Sequence, residues 1–142
     1  MDFTSSAGFL LSQLGVLAGR SWAAALAERG LSPHQHAILL TLDSAGPLTL
    51  TTLADAALVD PRNMGPVLNP LDQRGLIERR DDPADRRRRL IALTRPGAAL
   101  AAELASATAA LEDDLLAPLD ATRRAELHEL LLVLWRHAKS DG

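Results

Sequence analysis

Residues 82–94 read Asp-Pro-Ala-Asp-Arg-Arg-Arg-Arg-Leu-Ile-Ala-Leu-Thr, so that a turn and four successive arginines lead directly into an apolar segment. The Asp82-Pro83 pair favours a turn, because proline fixes its own φ and moves the preceding residue out of the helical region. The flanking segments, residues 76–80 and 89–93, have the composition of β-strands. We therefore expect a β-hairpin whose tip carries positive charge.

The arginine-rich tip has two interpretations. A run of charge by itself is typical of a solvated loop. A narrow ribbon that carries guanidinium groups is also suited to DNA phosphates, or to an AT-rich minor groove with its strongly negative potential. The charge distribution is informative here, because residues 60–94 contain eight arginines and six acidic residues, a net charge of +2, within a chain of net charge −3. Positive charge is thus concentrated around the hairpin.

The composition indicates one mainly α-helical domain over residues 1–142. Hydrophobic residues make up 47% of the chain and are mostly Ala and Leu, which are strong helix formers, whereas aromatic residues make up 3%. The absence of cysteine excludes disulfides, thiolate metal sites and thiol-based sensing, and is compatible with a reducing cytoplasm. We see neither a signal peptide nor an apolar window of about 20 residues. A soluble cytoplasmic protein with no membrane partner is expected.

Caps and prolines mark the predicted helices. Residues 5–29 have amphipathic spacing, Ser32-Pro33-His34-Gln35 has the form of a capping box, and Thr49 can cap a helix over residues 50–57. Asp60-Pro61 then opens a helix that we expect to end at Arg74-Gly75. Two short helices joined by a turn and followed directly by a β-ribbon predict a winged helix-turn-helix over residues 32–94.

The terminal segments, residues 1–30 and 98–142, are predicted to be dimerisation helices. They are too long and too apolar for the small winged core of one protomer to cover. We expect them to pack against their copies in a symmetric homodimer. The alternative is that they fold back into an intramolecular bundle.

The chain resembles the MarR (multiple antibiotic resistance regulator) family of bacterial transcription factors over nearly its whole length. The most specific part is residues 82–87 followed by a strand and Leu93-Thr94, which match the wing signature of that family. Residues 32–35, 48–54 and 71–79 support the match. The resemblance implies a homodimeric regulator of transcription, a repressor by our expectation, on a pseudo-palindromic operator in double-stranded DNA. It also implies release of the DNA by a small-molecule effector.

The same resemblance assigns roles on the wing. Asp85 matches the residue that stabilises the wing by ion pairing, and Arg87 matches the arginine that enters the minor groove. Side chains alternate along a ribbon, so the four arginines cannot all point at DNA. We expect Arg87 and one neighbour to point at DNA and Arg89 to face elsewhere. Phosphate contacts or exposed charge are expected of Arg79, Arg86 and Arg88.

The predicted recognition helix, residues 60–74, departs from the family pattern. Gly65-Pro66 stands where the family usually has Thr-Arg, and Pro70 replaces a polar or basic residue. Because an interior proline costs about 3 kcal/mol, we predict a kinked or locally opened helix, the alternative being a straight helix with ordinary binding. The DNA-binding residues predicted for the whole chain are Arg62, Asn63, Asn69, Arg74, Arg86, Arg87 and Arg88.

The sequence gives little support for an enzyme active site or a metal site. No glycine-rich phosphate loop, serine elbow or acid pair suggests an enzyme, and no cofactor is expected. His34 and His36 are two residues apart on a helix and therefore poor joint metal ligands. We instead predict, as possible lining of an effector pocket, Arg20, Trp22, His34, His36 and Met64, although Trp22 also suits an interface core. The alternative function is a ligand-binding or protein-interaction module with weakened DNA recognition.

Overall fold

The structure is a computed structural model that describes residues 2–141. It divides into two compact units, the first ending at Thr108 and the second beginning at Ala109. The fold is mainly helical with a small antiparallel sheet, as the sequence predicted. In chain order the main elements are α1 (Ala7–Ala27), α2 (Pro33–Ala45), β1 (Leu48–Thr49), α3 (Leu50–Ala57), α4 (Met64–Gln73), β2 (Ile77–Asp81), β3 (Arg89–Leu93), α5 (Arg95–Leu115) and α6 (Ala121–Ser140).

Helix α1 is long, apolar and mostly exposed. Ser6 caps it by accepting the Phe9 N–H at 3.2 Å. In the turn that follows the helix, Gly30 has a φ of 68°. Leu26 is its buried residue. Its mean hydropathy of 1.2 over 18 residues makes it long and apolar enough to cross a membrane by length and composition alone. The expectation that no window approaches this limit was therefore wrong, although the same criterion is also met by helices of soluble proteins.

The winged core is built from α2, α3 and α4 around a leucine-rich interior. The predicted capping box is present, since Gln35 N–H donates to Ser32 Oγ at 3.2 Å and Ser32 N–H donates to Gln35 Oε1 at 2.9 Å. Thr49 Oγ1 caps α3 by accepting the Thr52 N–H at 3.3 Å. The interior is formed by fully buried side chains: Ile38, Leu39, Leu53, Met64, Leu68 and Leu71.

The sheet has three strands in the order β1-β3-β2 rather than the two of the predicted hairpin. Strands β2 and β3 pair from Ile77↔Leu93 to Asp81↔Arg89. Strand β1, just two residues long, adds Leu48↔Ile91 and Thr49↔Leu90 on the other edge of β3. A two-residue strand has no periodicity, so its pairing partner was not readable from the sequence.

The structure changes where the two prolines of the recognition segment lie relative to its helix. A 3₁₀ turn over Pro61–Asn63 precedes α4, which begins at Met64, so Pro66 lies in the first helical turn. There its missing N–H would have had no intrahelical partner, and proline is tolerated. Pro70 is the interior proline, and α4 nevertheless continues to Gln73. The α-helix is therefore shorter than predicted, is preceded by a 3₁₀ turn, and contains one interior proline instead of two.

Helices α5 and α6 form most of the C-terminal part. Thr94 Oγ1 accepts the Gly97 N–H at 3.1 Å at the start of α5. Asp120 caps α6 by accepting the Arg123 N–H at 2.9 Å. In the second unit, Arg124 Nη1 forms an ion pair of 3.0 Å with Asp113 Oδ1. No side chain of α6 is buried within the described chain.

Candidate nucleic-acid interface

The wing comprises β2, β3 and a tip of residues 82–88 whose backbone is closed by hydrogen bonds. Asp82 N–H donates to the Arg88 carbonyl at 3.0 Å, and Arg88 N–H donates to the Asp85 carbonyl at 3.0 Å. Asp82 Oδ1 also accepts the Ala84 N–H at 2.9 Å. Short aspartate side chains thus accept hydrogen bonds from turn amides. The tip presents its arginines from a defined turn.

Asp85 holds the wing through backbone contacts. Its Oδ1 accepts the Arg87 N–H at 3.0 Å, and its own N–H donates to the Asp82 carbonyl at 3.2 Å. Within residues 2–141 its carboxylate forms no ion pair, in contrast to the role that the family resemblance implied. In the free protein the stabilising interaction is therefore a hydrogen bond to the backbone of the arginine two residues later.

The arginines of residues 60–94 fall into two groups. Four have side-chain partners: Arg62 contacts Asp60, Arg74 the Gly30 carbonyl, Arg80 Glu78 at 2.6 Å, and Arg89 Asp81 at 3.9 Å. Four others make no side-chain hydrogen bond or ion pair to any residue within 2–141 and are exposed: Arg79, Arg86, Arg87 and Arg88. All four free guanidinium groups belong to the wing. Arg89, across the ladder from Asp81, faces a partner within the sheet as expected.

An ion pair that was not predicted from the sequence joins Arg62, in the recognition segment (residues 61–73), to Asp60 just before it. Arg62 Nη2 lies 2.7 Å from Asp60 Oδ2, and Arg62 Nε lies 3.2 Å from Asp60 Oδ1. Asp60 Oδ1 also accepts the Arg62 N–H at 2.9 Å. The Arg62 hydrogen bonds lower the pKa of Asp60, and the carboxylate raises the pKa of Arg62. The predicted DNA-contacting arginine is therefore paired with a carboxylate in the free protein.

Helix α4 has one buried and one exposed face. Met64, Leu68 and Leu71 are fully buried, and Gln35 Nε2 donates to the Val67 carbonyl at 3.4 Å from α2. The ten residues of α4 include one acid and no lysine or arginine. Its exposed residues are Gly65, Pro66, Asn69, Pro70, Asp72 and Gln73. The surface that faces away from the core is thus small, amide-bearing and partly apolar, and the predicted Asn63 is exposed just before it.

Arg74 has a structural contact at the end of α4. Its Nη1 donates to the carbonyl of Gly30 at 3.3 Å, which joins the end of α4 to the turn between α1 and α2. This contact separates Arg74 from the free arginines with which the sequence analysis grouped it. The partners are 44 residues apart, so no local sequence pattern predicts this hydrogen bond.

The base of the wing is packed tightly against the start of α5. Thr94 Oγ1 donates to the Gly75 carbonyl at 2.6 Å, and Thr94 N–H donates to the Leu76 carbonyl at 3.1 Å. A Cβ atom on Gly97 would lie 2.0 Å from that same Leu76 oxygen. Glycine is therefore required here by a close backbone approach.

The predicted effector-pocket residues lie in different environments. Arg20 and His34 are exposed, and Trp22 is half-buried. His36 is 9% exposed, its Nε2 has no hydrogen-bond partner in residues 2–141, and burial lowers its pKa. Met64 is fully buried in the core, so it was wrongly assigned to a pocket wall. Its apolar chain follows the inward spacing of Leu68 and Leu71, a signal that should have placed it in the core.

A surface cleft of about 400 Å³ lies elsewhere, beside the turn between α3 and the 3₁₀ segment. None of the predicted pocket residues lines it; its walls are formed by Thr51, Ala54, Asp55, Leu58, Val59, Asp60 and Pro61. Among residues 2–141, no group of three or more His, Asp or Glu side chains is arranged to hold a metal ion.

Comparisons with known proteins agree with this geometry. The MarR family model matches residues 31–88. A protein of Thauera aromatica, named for transcriptional regulation of the hcr operon, is 32% identical over 130 residues, covering 91% of this chain and 78% of its own. CouR from Rhodococcus jostii bound to p-coumaroyl-CoA has a TM-score of 0.82 at 26% identity, with 94% of both chains covered. A Mycobacterium tuberculosis MarR family protein in complex with p-aminosalicylic acid has a TM-score of 0.73 at 29% identity, covering 91% of this chain and 98% of its own.

Proposed function

Because the chain belongs to the MarR family of DNA-binding transcriptional regulators, we propose that it acts as a homodimeric repressor on a pseudo-palindromic operator and leaves the DNA when a small molecule binds. In this proposal α4 lies in the major groove and the wing tip reaches the adjacent minor groove. The regulators to which the chain is similar favour this function over a protein-interaction module and over an enzyme. A regulator of transcription acts where the DNA is, which supports the expected cytoplasmic location.

The observation that carries the proposal is a set of four wing arginines whose guanidinium groups have no partner within the described residues 2–141. Arg86, Arg87 and Arg88 stand on a closed turn, and Arg79 lies on β2 of the same wing. An unpaired guanidinium can bind phosphate or enter a narrow minor groove without first breaking an internal ion pair. We assign Arg87 to the groove, because Asp85 fixes its backbone, and Arg86 and Arg88 to the flanking phosphates.

The proposal of a homodimer rests on apolar side chains that each unit leaves exposed. In the first unit α1 exposes a series of large residues: Phe9, Leu10, Leu11, Leu14, Val16 and Leu17. In the second unit α6 exposes another: Leu130, Leu131, Val133, Leu134 and Trp135. Contiguous apolar surface of this kind marks an interaction site, and a two-fold dimer buries the same surface on both copies. Such a dimer presents two wings to two half-sites about one helical turn of DNA apart.

Light scattering of the purified protein in detergent-free buffer tests the dimer. We expect twice the chain mass of 15.2 kDa. Leu14→Glu on α1 should shift the mass toward the monomer, whereas Leu58→Glu, at a somewhat more exposed leucine at the end of α3, should leave the dimer intact. A monomer at all concentrations, or protein recovered only with detergent, would contradict the proposal.

Electrophoretic mobility shift on DNA from upstream of the coding sequence tests operator binding. The experiment is run at low salt, where phosphate contacts are strongest, and repeated at physiological salt with Arg87→Ala. We expect a specific shift that the variant weakens. The absence of any shift at low salt would rule out DNA binding.

For the effector we propose an aromatic acid or its thioester. The ligands named for two similar regulators, p-aminosalicylic acid and p-coumaroyl-CoA, support this chemical class. On this chain the half-buried Trp22, the buried and unpartnered His36 Nε2, and the exposed Arg20 and His34 are the candidate contacts. An aromatic ring would pack on the indole, and the carboxylate of a free acid, or a phosphate of a coenzyme A thioester, would pair with the guanidinium.

Tryptophan fluorescence can test the effector site, because the chain has two tryptophans. A Trp135→Phe variant keeps Trp22 as the reporter, and Trp22→Phe is the control. We expect salicylate or p-coumarate to change Trp22 emission and to release operator DNA at the same concentrations. Release of DNA with no change at Trp22 would move the site elsewhere.

A further inference from the structure

We propose that α4 reads A·T base pairs through thymine methyl groups, with the rings of Pro66 and Pro70 as apolar contacts and the Asn69 amide between them binding adenine. This inference rests on the proposed operator binding and specifies which bases the recognition helix prefers. The prolines that appeared to weaken recognition are, in this account, the residues that determine it.

The three residues form one continuous patch. Pro66, Asn69 and Pro70 are all exposed, while Met64, Leu68 and Leu71 on the opposite side of α4 are fully buried. Residues three and four apart lie on the same face of a helix, so Asn69 and Pro70 both adjoin Pro66. The core side of α4 is fixed against α2, and the patch therefore points away from the protein.

The chemistry of the patch suits thymine. In the major groove the C5 methyl group of thymine is the apolar feature of the base-pair edge, and small apolar side chains contact it. The two proline rings are about 6 Å apart along the helix axis. This is close to the roughly 7 Å that separates base pairs two steps apart. A proline ring also has few conformations to lose on binding, so the contact carries little entropic penalty.

Asn69 supplies hydrogen-bonding groups that also favour an A·T base pair. An asparagine amide can donate to adenine N7 while it accepts from adenine N6, which is a bidentate match that guanine does not offer. Within residues 2–141 the exposed Asn69 amide makes no side-chain hydrogen bond, and it is not held by the core. Adenine beside a methyl-bearing thymine is therefore the combination that this face fits.

Guanine readout is disfavoured because α4 lacks a free cation. The usual guanine contact is a bidentate arginine or lysine. Helix α4 contains neither, Arg62 before it is paired with Asp60 at 2.7 Å, and Arg74 after it donates to the Gly30 carbonyl. The exposed Asp72 supplies an acceptor, which suits the amino group of adenine or of cytosine and has no donor for guanine N7 or O6. The helix thus matches methyl and adenine edges better than guanine edges.

Replacement of thymine by deoxyuridine tests the inference, because it removes the C5 methyl group and leaves the hydrogen-bonding edge unchanged. High-affinity duplexes are first selected from random DNA with the wild-type protein. Each thymine is then replaced singly, and dissociation constants are measured by fluorescence anisotropy. We expect two thymines in each half-site at which loss of the methyl weakens binding about fourfold, the value for one buried methylene-sized group.

Proline variants assign the effect to α4. In Pro66→Ser and Pro70→Ser, deoxyuridine at the corresponding thymine should no longer weaken binding. Pro118→Ser, at the turn between α5 and α6, is the matched control and should retain the fourfold loss. Asn69→Ala should reduce affinity roughly tenfold on the selected site. It should also abolish the effect of 7-deazaadenine, which lacks the N7 acceptor. Circular dichroism checks that each variant folds.

The outcomes separate this inference from the proposal on which it depends. Methyl dependence that disappears in either proline variant supports it. Selected sites without methyl dependence, or a methyl dependence that both proline variants retain, would overturn it while leaving operator binding intact. Failure to select any DNA at low salt would overturn both.

Discussion

The wing and helix α4 lie next to each other in sequence but offer opposite chemistry. Within residues 2–141, four guanidinium groups of the wing have no hydrogen-bond or ion-pair partner, whereas α4 has no cation and the arginines that flank it, Arg62 and Arg74, are both paired. Free positive charge binds phosphate without regard to sequence, whereas exposed amide and apolar groups bind particular base edges. We propose that the two regions have different roles on DNA: the wing binds the phosphate backbone and the adjacent minor groove, and α4 contacts base edges in the major groove.

The largest effect should come from breaking the base of the wing. In Gly97→Ala the new Cβ would meet the Leu76 carbonyl at 2.0 Å, and the backbone there cannot move without displacing β2. We expect a loss of at least about 3 kcal/mol in the free energy of unfolding. Gly65→Ala in α4, where nothing lies within 4 Å, should instead gain up to about 1 kcal/mol. Chemical denaturation measures both, and equal stability of the two variants would contradict the assignment.

Removing a free guanidinium should weaken binding to all sequences. Arg87→Ala should lower DNA affinity by about tenfold and reduce the slope of log K against log [salt] by about 1. Arg80→Ala is the matched control, because Arg80 lies on the same wing and is paired with Glu78. Its effect should be smaller. Filter binding across a salt series provides both slopes. An unchanged slope for Arg87→Ala would show that other residues provide the salt-dependent DNA contacts.

The pattern of what the sequence could predict follows from the range of each interaction. The capping box at Ser32 and the cap at Thr49 involve neighbours three residues apart, and both were predicted. The Asp85 match located the wing turn, but its backbone contact replaced the expected ion pair. The bond from Arg74 to Gly30 and the approach of Gly97 to Leu76 join distant residues, and these were not predicted.

Within the recognition segment, the start of α4 was predicted wrongly although the signal for it is local. Asp60-Pro61 is a correct start signal, but it opens a 3₁₀ turn, and α4 begins three residues later at Met64. This shift moves Pro66 from a predicted interior position to the first helical turn. Cap residues mark where a helical region begins, whereas they do not distinguish a 3₁₀ turn from an α-helix.

A moderate effect should follow from giving the recognition segment a free cation. Asp60→Asn keeps a side-chain oxygen to cap the 3₁₀ turn but removes the charge that pairs with Arg62. We expect about threefold tighter binding to non-specific DNA and a salt slope steeper by about 0.9. Asp72→Asn on α4 removes the same charge without releasing an arginine and is the control. Equal gains in the two variants would show that net charge, and not Arg62, is responsible.

The smallest effect distinguishes two roles of Asp85. Asp85→Ala removes the acceptor of the Arg87 N–H and should cost about 1 kcal/mol of turn stability. Operator affinity should fall about threefold as the wing tip becomes less ordered. Asp85→Asn retains an oxygen at that position and should bind nearly as the wild type. If Asp85→Asn is as weak as Asp85→Ala, the negative charge itself is required and an ion pair forms on DNA.

The proposed division between a DNA-binding wing and a base-recognising α4 is tested most directly with two duplexes that differ only in the bases opposite α4. The affinities of Arg87→Ala and Asn69→Ala are measured for both duplexes. We predict that Arg87→Ala weakens binding to both duplexes by the same factor, whereas Asn69→Ala weakens binding to the preferred duplex alone. The account would be contradicted if Arg87→Ala erased the preference, or if Asn69→Ala left the ratio of the two affinities unchanged.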